Sequence, residues 1–139
     1  MPARILVAEA DADALRLLEN TLHEKGYFVT TASSGAEVLQ QVSSAPYDLL
    51  LLGLSLPADS GMDLLRLVRS AHPDLRIIVI SSRRSFEAAV KGMHYQISDY
   101  LVKPLTPRKV LHSVDRALEM HRAAFISEPR SPYLLVEDR

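Results

Sequence analysis

No cysteine occurs among the 139 residues, which removes disulfides, thiolate metal sites and cysteine nucleophiles together. Positive charge is not in excess either. Sixteen Lys and Arg stand against 17 Asp and Glu, for a net charge of −1, whereas a nucleic-acid footprint needs a strong surplus of basic residues. Long apolar runs are missing as well. The first one is broken by Glu9, too early for a signal-peptide core, and no stretch approaches the ~20 apolar residues of a membrane span. These absences point to a soluble, cytoplasmic chain that contacts neither membrane nor nucleic acid. There is no Gly-x-Ser-x-Gly elbow, Walker loop or paired His-carboxylate motif, so no enzyme activity is expected. The histidines at 23, 72, 94, 112 and 121 show no metal-ligand spacing, and neither metal nor cofactor is expected.

What is present is ordinary globular composition, with 47% hydrophobic and 24% charged residues, enough for one domain with a sizeable core. Short apolar runs alternate with longer amphipathic segments, the pattern of βαβ units and a parallel sheet. Strands are expected at Ile5–Ala8, Tyr27–Ala32, Leu49–Leu52, Ile77–Ile80 and Tyr100–Val102. The second is aromatic and alternating, so it belongs nearer an edge. The third and fourth are unbroken aliphatic runs of the kind buried on two faces.

Helical spacing links Leu15, Leu18 and Leu22, with Gly26 as the stop. Ser34 and Glu37 fit a capping box opening a second helix. Leu64, Leu65 and Val68 mark a third helix; Phe86, Ala89, Val90 and Met93 mark a fourth. Thr106-Pro107 starts a fifth, with Val110, Val114 and Leu118 on its core stripe and an end near Phe125. The expected organisation is a folded domain over residues 1–125 and a tail or linker over 126–139 containing Pro129 and Pro132. Five βα units joined by right-handed crossovers make a three-layer α/β sandwich of the flavodoxin-like kind, whose functional crevice lies beyond the carboxyl ends of the strands.

Those ends carry Glu9-Ala10-Asp11 after the first strand, Gly53 after the third, Ser81-Ser82 after the fourth and Lys103-Pro104 after the fifth. From Arg4 to about Arg122 the chain resembles a response-regulator receiver domain, CheY-like in type, of two-component signalling. The landmarks that carry the resemblance stand in order. They are Ile5-Leu6-Val7 followed by acids, Tyr47-Asp48-Leu49 running to Gly53-Leu54-Ser55-Leu56-Pro57 and then Gly61, Ile77-Ile78-Val79-Ile80-Ser81, and Asp99-Tyr100-Leu101-Val102-Lys103-Pro104. The resemblance implies a five-stranded parallel sheet of order 2-1-3-4-5. It also implies matched roles for Ser81 as the hydroxyl position, Lys103 as the lysine, Tyr100 as the aromatic position that reports activation, and Glu9 as the first acid of a pair. The second acid falls on Ala10 and the phosphorylated aspartate on Gly53.

In the family that aspartate is the nucleophile that takes a phosphoryl group from a histidine kinase, a covalent step glycine has no side chain to perform. Magnesium wants near-octahedral oxygen ligands, usually one or two carboxylates plus phosphate; here Glu9 is the one matched acid, with Asp11 a residue late. Two departures at one site point to a natural loss rather than a single altered residue. With two acids gone, Glu9 is expected to pair with Lys103, and a partly exposed pair of that kind contributes about 0–1 kcal/mol. Ser55 and Asp59 are the alternative phosphate acceptors within reach, while Asp48 belongs to the far end of the sheet.

The resemblance thus implies a degenerate receiver that acts by phosphorylation-independent docking on a histidine kinase, another receiver or an output domain, with homodimerisation as a further option. The family's docking surface, made of the fourth helix, fifth strand and fifth helix, here includes Lys91, Tyr95, Tyr100, Arg108 and His112. Two alternatives stand beside it. One is a small-molecule sensor using a crevice made roomier at Gly53 and Ala10. The other is the regulatory fragment of a longer regulator whose output domain follows the tail.

Overall fold

The computed structural model describes residues 2–56, 61–82 and 91–127. Its elements follow in the order β1 (Arg4–Ala8), α1 (Ala12–Glu24), β2 (Phe28–Ala32), α2 (Gly35–Ser44), β3 (Leu49–Gly53), α3 (Gly61–Ala71), β4 (Arg76–Ser81), α4 (described over 91–94), β5 (Asp99–Val102) and α5 (Pro107–Ser127). The expected residues 86, 89 and 90 of α4 and the tail beyond 127 lie outside the described residues. The last helix runs two residues past its expected end.

All strands pair in parallel, in the order β2-β1-β3-β4-β5, the flavodoxin-like sheet implied by the resemblance. Period-two alternation splits each aliphatic run between the two faces. Leu6, Leu50, Leu52, Ile77 and Val79 pack with Val38 and Val42 of α2 and Leu64, Leu65 and Val68 of α3. Ile5, Val7, Leu49, Leu51, Ile78 and Ile80 pack on the other side with Leu18 and Leu22 of α1 and Val110, Val114 and Ala117 of α5. Every residue of β3 is buried, which is why its leucines show no polar alternation. β2 lies on the edge and exposes Phe28.

Local chemistry sets the helix ends. Asp11 caps α1 by accepting from the Asp13 amide at 3.1 Å, and Gly26, at φ 88°, turns the chain out of it. Ser34 caps α2 through the Glu37 amide at 3.2 Å. The Glu37 carboxylate, however, reaches one residue further back than a reciprocal capping box requires. It accepts from the Ser33 amide at 2.6 Å and the Ser33 hydroxyl at 3.1 Å, and these two donors hold its pKa below the usual 4.5. At the start of α3, Gly61 stands so close to Leu54 that a Cβ there would lie 2.5 Å from the Leu54 Cα. Only glycine permits that approach of backbone to backbone. One core expectation is corrected: Met93 is 73% exposed. Gly92 turns inward in its place, against Ile97, and Tyr95 packs on the sheet face shared with α2 and α3.

Candidate functional site

Parallel strands deliver their carboxyl ends to one side of the sheet, so residues far apart in sequence meet there. Glu9 leaves β1 and Lys103 leaves β5; between the two strands lie β3 and β4. The Lys103 ammonium donates to Glu9 Oε2 at 2.9 Å across 94 positions of sequence. The same oxygen accepts the Asp11 amide at 2.8 Å, and Asp11 Oδ2 stands 3.7 Å from the Lys103 nitrogen. Three charges therefore form one small network, with Lys103 between two carboxylates.

The ion pair was expected, but its burial was not. The Glu9 side chain is fully shielded from solvent and that of Lys103 is 17% exposed. The value of 0–1 kcal/mol suited to a partly exposed pair is thus replaced by the energetics of a buried one. Desolvation of both ions offsets much of their attraction, and loss of one partner strands the other at high cost.

Gly53 ends β3, buried and in register with Ile80. A Cβ built on it would lie 2.6 Å from Glu9 Oε1 and 3.2 Å from the Ala8 carbonyl oxygen. The space expected to be open at this position is therefore occupied by the Glu9 carboxylate, and the roomier crevice is not formed. Ala10 is exposed and contributes no polar group. Ser81 is half-buried at the end of β4, and its carbonyl accepts the Lys103 amide at 2.9 Å. The Lys103–Pro104 peptide is cis.

Among the described residues the two acids of the crevice hold the Lys103 ammonium between them. Glu9 Oε2 is already shared by an ammonium and an amide, and among the described residues no group of three or more His, Cys, Asp or Glu is placed to hold a metal ion. With that ammonium already neutralising them, these two carboxylates are a poor fit for magnesium, which needs their negative charge uncompensated.

The remaining residues singled out in the sequence are dispersed. Tyr100 is half-buried in β5 opposite Val79. Lys91, Arg108 and His112 are exposed on α4 and α5, while Tyr95 is half-buried with its ring 5.2 Å from that of His94. Ser55 is exposed, and Asp59 lies outside the described residues. Asp48 sits at the opposite end of the sheet, as expected, where its carboxylate accepts the Arg4 amide at 2.8 Å.

Three polar arrangements went unnoticed in the sequence. Arg69 donates to four carbonyls, those of His72 at 3.0 Å, Pro73 at 2.9 Å, Tyr95 at 2.8 Å and Gln96 at 3.2 Å. It ties the end of α3 to the segment entering β5, and burial together with the neighbouring Arg76 lowers its pKa. Its place in the last turn of α3 was the available signal, since cations favour helix C-termini. The Ser113 hydroxyl donates to Asp99 at 2.6 Å, and Lys109 donates to the carbonyls of Val102 at 3.2 Å and Pro104 at 2.9 Å, bracing the loop that presents Lys103.

A doubly wound parallel sheet with a lysine and an acid meeting at its carboxyl end defines a class of CheY-like signalling folds. Comparison with known proteins agrees: the response regulator receiver domain pattern matches residues 5–115, and the chain belongs to that family. It is 33% identical over 138 residues to the response regulator MprA of Mycobacterium sp. (strain KMS), covering 99% of this chain and 59% of that protein. It is 30% identical over 119 residues to the alginate biosynthesis transcriptional regulatory protein AlgB of Pseudomonas putida, covering 86% of this chain and 27% of that protein. Among solved structures, a CheY-like receiver domain from Methanospirillum hungatei JF-1 superposes with a TM-score of 0.84 at 25% identity, covering 88% of this chain and 98% of the other. The chain thus spans between about a quarter and three fifths of these two curated relatives. Among the described residues no helix is long and apolar enough to cross a membrane.

Proposed function

We propose that this chain is a degenerate receiver that signals by phosphorylation-independent protein binding, with no catalysis of its own. The carrying observation is Gly53. It ends β3 where the receiver family places its phosphorylated aspartate, and it offers no nucleophile. Support comes from Glu9, whose carboxylate oxygen Oε2 is engaged by Lys103 and the Asp11 amide. In this reading the partner is a histidine kinase, another receiver or an output domain, engaged at the β5 edge of the sheet, where α4, β5 and α5 carry Lys91, Tyr95, Tyr100, Arg108 and His112.

Incubation with magnesium and acetyl phosphate, followed by intact mass spectrometry, tests the claim. No added phosphoryl mass is expected. An acid-stable adduct would overturn the reading in favour of a hydroxyl such as Ser55, and an acid-labile one in favour of Asp11 or Asp59. A second reading concerns the whole protein: the chain is the receiver part of a longer regulator. It is favoured by relatives that extend well beyond the matched region and are named as transcriptional regulators.

A further inference from the structure

Glu9 Oε1 is the least explained polar atom in the crevice. It is buried and accepts no hydrogen bond among the described residues, a condition that in folded proteins calls for a reason. Its partner oxygen explains where the carboxylate is held, since Oε2 is fixed by Lys103 and the Asp11 amide. What Oε1 touches is Gly53, at the spot 2.6 Å from where a side chain would begin. Glycine at a strand end often marks a close approach of another group, and here the approaching group belongs to the chain itself.

We propose that Glu9 is an internal anion that plugs the vacancy at Gly53 and holds Lys103, so that a small-oxyanion site lies latent beneath it. Gly53 is then a steric requirement of the plug. Any Cβ at 53 meets Oε1, the movable end of a flexible side chain, before it meets the Ala8 carbonyl oxygen at 3.2 Å, which is backbone. The carboxylate therefore yields first and loses Lys103. Removing the Glu9 side chain leaves a buried hollow with the Lys103 ammonium on one side and Gly53 on the other, sized for a carboxylate and matched to it in charge. This inference concerns the crevice alone and holds whatever the domain docks on.

The test is chemical rescue. Thermal melting of wild type, Glu9→Ala and Glu9→Ala/Lys103→Met is followed in sodium acetate and in sodium chloride of equal ionic strength. Glu9→Ala is expected to melt several degrees below wild type and to recover saturably with acetate. Wild type and the double variant are expected to show no acetate-specific rise. A Glu9→Ala protein that melts like wild type, or an acetate effect equal in all three proteins, overturns the proposal. A second cycle covers the case in which Glu9→Ala does not fold, using Glu9→Gln, Gly53→Ala and their combination. If the plug exists the two losses overlap, and the double variant melts close to the worse single one. Fully additive shifts in melting temperature would sink it.

Discussion

The two ends of the sheet handle polar groups in opposite ways. At the carboxyl end a fully shielded carboxylate meets an ammonium brought from 94 residues away, and one of its oxygens has no hydrogen-bond partner among the described residues. At the amino end and its flanking loops, charge is spent on backbone: Asp48 accepts the Arg4 amide, and Arg69 donates to four carbonyls. The first arrangement depends on a partner of opposite charge. The second satisfies backbone groups left over by helix and strand ends, which must be paired in any case. The amino end is thus architecture, and the carboxyl end carries a balance that one substitution can tip.

The strongest test of that contrast is Lys103→Met, which leaves the shielded Glu9 carboxylate without its counter-ion. A loss of about 3 kcal/mol in unfolding free energy is expected, read by urea denaturation at neutral pH. A loss below about 1 kcal/mol would place the pair with ordinary surface bridges. Arg69→Ala comes next, expected to cost about 2 kcal/mol in the same assay because part-buried carbonyls lose a charged donor. It should also speed hydrogen exchange around Tyr95 and Gln96 while leaving the Glu9 region unchanged. Asp48→Ala, which strands a single exposed amide, should cost about 0.5–1 kcal/mol.

The smallest expected effect lies outside both ends. Glu37 is fully exposed and its pKa is lowered by the Ser33 amide and hydroxyl. A carboxylate whose folded pKa is depressed contributes stability that is complete above its unfolded value and lost as pH falls through the folded one. Its carboxyl carbon should accordingly titrate below 4.5 by NMR, and Ser33→Ala, which removes the hydroxyl bond alone, should move the midpoint back only part of the way.

Much of the fold was legible along the chain. The runs Leu49–Leu52 and Ile77–Ile80 could be placed as central strands because a strand buried on both faces has no polar side to show. Ser34, Thr106 and Gly26 marked turns and caps whose chemistry acts within four residues. The site was legible in part. Glu9 and Lys103 could be paired because parallel topology sends both strand ends to the same side, and charge left them as complements. Met93 misled, since helical spacing fits several faces and a single described turn of α4 puts Gly92 inward.

What the sequence determined by itself was the set of elements, their parallel arrangement, and a crevice at the strand ends that gathers Glu9, Gly53 and Lys103. These follow from periodicity, caps and residue chemistry, all of which act locally or through topology. Only the tertiary structure decided that the Glu9 carboxylate would enter the space beside Gly53, and that Arg69 would gather carbonyls from two separate segments. Both depend on distances of a few ångströms between groups remote in sequence. Such distances are set by how the layers pack, and no local pattern encodes them.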